Sequence, residues 1–268
     1  MDGEIAKPTA PPEPSKPKLH PVHCDPTLDV TLISKDNVEF RASSFQLSQF
    51  SEFFQGLFSL PPPNNGAREA IHLDFEGSTV AKFLDLMLLP ERYHSIAINE
   101  LRHPDLIAPL IGLADFAACK NTLLMKLREA LRHHCRFYPL EILKFASDND
   151  EREIGFATAA IRHFDKAVGF PGSLCVTSGE KGHCLGRWKK IRSEFAKLSP
   201  AFQVELFTIT LIRCYARSDA NSHTFNRDDW EKISKAFDPS LSMYDKLAKM
   251  NGWTYGGPRS EDDSLERP

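Results

Sequence analysis

Apolar and polar side chains alternate with a period of two in two short runs between residues 29 and 42. Val30 and Leu32 fall on one side with Thr31 and Ile33 on the other, and Val38, Phe40 and Ala42 then alternate with Glu39 and Arg41. Between the runs Asp36 and Asn37 tolerate positive φ and bond to their own backbone, so the pair of runs reads as a hairpin. The period then lengthens. Ser51 reads as a helix N-cap, Glu52 complements the positive end of the helix dipole, and Phe53, Phe54, Leu57 and Phe58 recur at helical spacing on one face. Nothing in residues 29–58 has the character of reaction chemistry.

Three consecutive prolines and Asn65-Gly66 then force a loop. Residues 71–75 alternate as a third strand. Ser78 is expected to cap a helix in which Val80, Phe83, Leu84, Met87 and Leu88 share a face, with Pro90 as its stop. A helical hairpin follows. Its first arm starts between Asp105 and Pro109 and carries Leu110, Leu113, Ala114 and Ala117. Its second carries Leu123, Leu124, Leu127 and Leu131, and the two join near Asn121.

Beyond Phe137 the pattern is helical throughout. Pro139 suits a first helical position, Asp148-Asn149-Asp150 breaks the pattern, and Ile154, Ala157, Ile161 and Phe164 resume it. Residues 168–186 read as a long glycine-rich loop. Trp188, Ile191, Phe195 and Leu198 form one further face. Ser199-Pro200 starts the next helix, whose residues 202–215 are apolar on several faces and imply near-complete burial. A final segment holds Trp230, Ile233 and Phe237. The first 24 residues, rich in proline and poor in large apolar side chains, are expected to be a disordered arm, and residues 251–268 a disordered tail.

Position by position, residues 29–58 resemble the opening of a BTB/POZ domain, whose pattern runs roughly F-R-x-H-x-x-x-L-S-x-x-S-x-x-F-x-x-x-F. The matching residues are Phe40, Arg41, Leu47, Ser48, Ser51, Phe54 and Phe58, preceded by Asp29-Val30; Ser43 stands where histidine is usual and Ser44 where a basic residue is. The later elements follow in the family's order to about His134, and Leu113-Ala114-Asp115 is similar to its A-A-D motif. The stretch Leu57-Phe58-Ser59-Leu60-Pro61-Pro62-Pro63 looks like the large fungal branch. The resemblance implies an α+β fold in which a small three-stranded sheet is covered by helical hairpins over residues 25–136. An all-α extension over 137–250 would complete the chain.

Charge and composition add exclusions. With a formal charge of -3 over 268 residues, bulk electrostatics favours neither nucleic acid nor an acidic solubilising role. The longest charge-free run, residues 106–114, is too short to cross a bilayer. Six cysteines lack C-x-x-C spacing, which points to a reducing compartment, cytoplasm or nucleus. Cys175, His183 and Cys184, or His133, His134 and Cys135, fit no metal spacing. No nucleophile elbow, phosphate loop or dinucleotide fingerprint is present, so neither a catalytic residue nor a cofactor is assigned. Lys181, Arg187, Lys189, Lys190 and Arg192 read as the solvated side of a helix. Asp74, Glu76, Asp228 and Asp229 read as residues that complement helix starts.

What remains is surface. The resemblance implies a noncatalytic protein-interaction module that self-associates as a homodimer or recruits a protein partner, with Phe45, Phe50, Phe53, Phe58 and Leu60 as interface candidates. Two other roles stay open. One is an adaptor binding a cullin of a ubiquitin ligase, although Leu60-Pro61-Pro62-Pro63 stands where such adaptors carry a hydrophobic-x-Glu element; the other is a transcription-associated scaffold, although no DNA-binding element is evident.

Overall fold

Leu32 and Phe40, opposite one another in the two alternating runs, are both fully buried and hold the hairpin against the helices that follow. The computed structural model describes residues 16–61, 69–149, 153–164, 193–215, 225 and 227–251. Four strands make one mixed sheet of the α+β class: β1 (Lys18–Leu19), β2 (Val30–Ile33), β3 (Val38–Ala42) and β4 (Ile71–His72), in the order β1-β3-β2-β4. The β2–β3 pair is antiparallel, and β1 and β4 add in parallel at the two edges. At the turn Asn37 has φ 62°, the left-handed conformation its side chain tolerates.

The fourth strand corrects the expected count of three, and it comes from the proline-rich arm. The Lys18 and His20 amides donate to the Asn37 and Glu39 carbonyls at 3.0 and 2.8 Å, while the His20 ring stacks on Phe40 at 4.8 Å. A segment with little apolar surface of its own is thus ordered by backbone pairing and one ring contact. Residues 1–15 and the tail from 252 lie outside the described residues.

Among the described residues the helices are α1 (Ser44–Phe50), α2 (Glu52–Ser59), α3 (Gly77–Leu88), α4 (Glu91–Asn99), α5 (Pro104–Phe116), α6 (Asn121–His134), α7 (Pro139–Asp148), α8 (Ile154–Ile161), α9 (Pro200–Tyr215), α10 (Arg227–Ala236) and α11 (Met243–Asn251). The chain divides into two compact units, Met1–Glu100 with Pro109–Leu127, and Leu101–Ala108 with Arg128–Pro268. The division falls inside α6, upstream of the boundary at 136 that the pattern suggests.

In the first unit Val80, Phe83, Leu84 and Met87 of α3 are buried as their spacing requires, whereas Leu88, expected on the same face, is exposed at the helix end. Ser78 does not cap that helix. Glu76 occupies the N-cap without a side-chain bond, and the Asp36 carboxylate accepts from the Gly77 N–H at 2.7 Å, so the hairpin turn supplies the cap from 41 residues away.

In the second unit α7 begins at Pro139 as expected, and Trp230, Phe156, Phe164 and Ile209 are fully buried. Helix α9 is a correction: Phe202, Leu206 and Ile209 face inwards, whereas Val204, Phe207 and Leu211 are exposed. Its buried side also carries charge. Glu205 meets Lys246 of α11 at 2.5 Å, and the Arg213 guanidinium reaches Asp229 of α10 at 2.7 Å. Asp229 is therefore half of a buried ion pair as well as a first-turn carboxylate; Asp228 pairs with Lys232 one turn on at 2.8 Å.

Candidate functional site

The α1–α2 pair starts from two serine caps. Ser43 accepts from the Gln46 amide at 3.4 Å, and the Ser44 amide and hydroxyl donate to the Asp29 carboxylate at 2.9 and 2.5 Å, tying α1 to the start of β2. Leu47 then points inwards, and Phe45, two positions earlier on the helix, is left 69 % exposed. Ser51 caps α2, accepting from the Phe54 amide at 3.1 Å, and its hydroxyl donates to the Ala117 carbonyl. Amide donation from Glu52 to the Ala118 carbonyl and from Lys120 to the Phe50 carbonyl, each at 3.1 Å, fixes the helix pair against the end of α5. Phe54 fills the core. Phe53 stands edge-on to it at 5.1 Å and 37 % exposed, Phe58 stacks on it at 5.8 Å, and Leu60 is 62 % exposed.

Ring contacts connect some of the five interface candidates. Phe53 and Phe58 are joined through Phe54, while Phe50 lies beside His94 at 5.9 Å and under the Lys120 ammonium at 5.8 Å. Phe45 and Leu60 are exposed. Two aromatic residues that the sequence reading did not single out complete the surface. Phe116, 50 % exposed at the end of α5, lies 5.2 Å from Phe53 and 6.0 Å from Phe75. Its sequence signal was visible: Phe116 falls one step away from the buried face of Leu110, Leu113, Ala114 and Ala117.

Reactive side chains are differently placed. Burial pushes the Cys119 thiol up to about 12 and the Cys135 thiol up to about 11, so neither is a thiolate near neutral pH. Burial also lowers the His134 pKa below its ordinary value. Among the described residues no three His, Cys, Asp or Glu side chains converge as metal ligands, and no helix is long and apolar enough to cross a membrane. A cleft beside Leu28, Ala42, Leu47, Leu84 and Met87 holds about 30 Å³, space for one or two waters. Cys175, His183, Cys184 and the basic cluster from Lys181 to Arg192 lie outside the described residues.

No protein-family model matches the chain, and no curated protein matches it.

Proposed function

We propose that the chain is a noncatalytic protein-interaction module of BTB/POZ type that self-associates through the exposed apolar groups Phe45 of α1 and Leu60 at the end of α2. The observation that supports this most is the exposure of Phe45 on α1 and of Leu60 at the C-terminal cap of α2, helices whose starts are pinned by side-chain caps and which are anchored by buried Leu47 and Phe54. Exposed large apolar groups on rigid elements are what a docking surface requires, since little conformational freedom is lost when they are covered. Fully covering a phenylalanine contributes about 1.5–3 kcal/mol, so Phe45, already one-third covered, contributes about 1–2 kcal/mol in each copy of a symmetric pair. Micromolar pairing corresponds to about -8 kcal/mol after the association cost, so Phe45 supplies part of it and the other exposed groups must supply the rest.

Light scattering across a concentration series tests the proposal. The wild-type mass should rise towards that of a dimer, and Phe45→Asp should weaken pairing by at least about tenfold while leaving the fold intact, because the side chain is outside the core. A constant monomer mass over the series, or a dimer indifferent to Phe45→Asp, would refute it.

A further inference from the structure

We propose that Phe53, Phe75 and Phe116 form a separate docking surface on the first unit for a partner segment that carries lysine or arginine beside an aliphatic or aromatic anchor. The three rings come from different parts of the fold. Phe53 belongs to α2, Phe75 lies between β4 and α3, and Phe116 ends α5, in ring contact with both others. Phe53 rests on buried Phe54, and Phe75 packs over Gly112, its ring carbon 3.5 Å from where a Cβ would stand. The surface is therefore a supported platform.

Carboxylates outnumber cations next to the three rings along the chain. Exposed carboxylates adjoin every ring in sequence: Glu52 precedes Phe53, Asp74 and Glu76 flank Phe75, and Asp115 precedes Phe116. Lys35 engages Asp74 at 3.3 Å, whereas Glu52, Glu76 and Asp115 have no ion pair among the described residues. Lys120, four positions beyond Phe116, is turned over Phe50. An aromatic face attracts a cation through its quadrupole, and neighbouring carboxylates add to that attraction. The same rim disfavours other occupants. A second copy meeting this face across a two-fold axis would oppose like charges, and nucleic acid or an anionic membrane would be repelled. A basic, apolar-anchored protein segment satisfies both rings and rim.

The surface extends the proposed docking role without requiring self-association. Fluorescence anisotropy of the full chain with two labelled fourteen-residue peptides, one of leucine and lysine and one of leucine and glutamate in the same order, tests it. The leucine–lysine peptide should bind the wild type at least about tenfold more tightly than it binds Phe116→Ala or the double variant Glu52→Gln/Asp115→Asn, and the leucine–glutamate peptide should not bind. Equal affinity for wild type and both variants, or equal binding of the two peptides, would overturn the proposal. Light scattering on the same samples separates the two ideas. A protein that pairs but shows no variant-sensitive peptide binding loses only this inference, and one that stays monomeric yet binds through Phe116 loses only the self-association.

Discussion

Asp36 links the hairpin turn to the first long helix, accepting from the Ser34 hydroxyl at 2.6 Å and from the Gly77 amide at 2.7 Å. The Ser34 hydrogen bond, followed by that from Gly77, holds its carboxyl below the ordinary 3.8 despite opposing desolvation. A carboxylate whose folded pKa is depressed contributes stability that is complete above the unfolded value and lost as pH falls through the folded one. Asp36→Ala should therefore cost about 1 kcal/mol near neutral pH, and the gap to wild type should narrow as pH falls below 3.8 through the lower folded value. Urea unfolding of both proteins at pH 7 and pH 3 checks this, and an equal gap at both would contradict it. Residue roles that depend on local chemistry were legible: Asn37 takes the positive φ and Ser51 the cap that their side chains favour. Roles that depend on a distant partner were not. Nothing near Gly77 announces that Asp36 will cap it, nor does Asp229 announce Arg213.

Two elements depend on polar contacts in ways that make them separable from the rest. Strand β1 is backed by His20, whose Nδ1 accepts from the Val22 and His23 amides at 3.3 and 3.1 Å and so must be unprotonated. Burial, with a smaller contribution from His23, lowers the His20 pKa below 6.5, against the opposing charge of Asp85. The sign follows the Asp36 case: this stabilisation is whole above 6.5 and fades as pH falls through the lower folded value. Hydrogen exchange of the Lys18 and His20 amides, corrected for intrinsic rates, should accelerate between pH 7 and pH 5 in wild type and show no such step in His20→Ala.

Helices α9 and α11 are joined by the buried Glu205–Lys246 pair. Removing one partner leaves a buried charge, so Glu205→Leu or Lys246→Leu alone should cost about 3–5 kcal/mol, whereas the double substitution should recover most of it. Chemical denaturation of the cycle checks this, and additive losses would contradict it. The same pair explains why α11 was illegible: its buried face includes a lysine, which breaks the apolar period. Helix α4 escaped for a related reason, since only His94 and Ile98 turn inwards. By contrast α3 follows its apolar repeat from Val80 to Met87, which is why it could be read directly.

At the scale of the whole molecule, each compact unit builds its own core and leaves apolar groups outside it: Phe45, Leu60 and Phe116 on the first, Val204, Phe207 and Leu211 on the second. Periodicity made the α+β class and most helices legible because burial on one face is a property of sequence order. It could not separate core from docking surface, because Phe53 and Phe54 are equally apolar and only the fold decides which one turns out. That distinction is also where the central claim stands or falls. Hydrogen exchange of the wild type, compared between dilute protein and protein concentrated well above micromolar, reads it most directly. Self-association through Phe45 requires concentration-dependent slowing across α1, residues 44–50, with exchange in α9 unchanged; protection that does not vary with concentration, or that is confined to the second unit, would refute it.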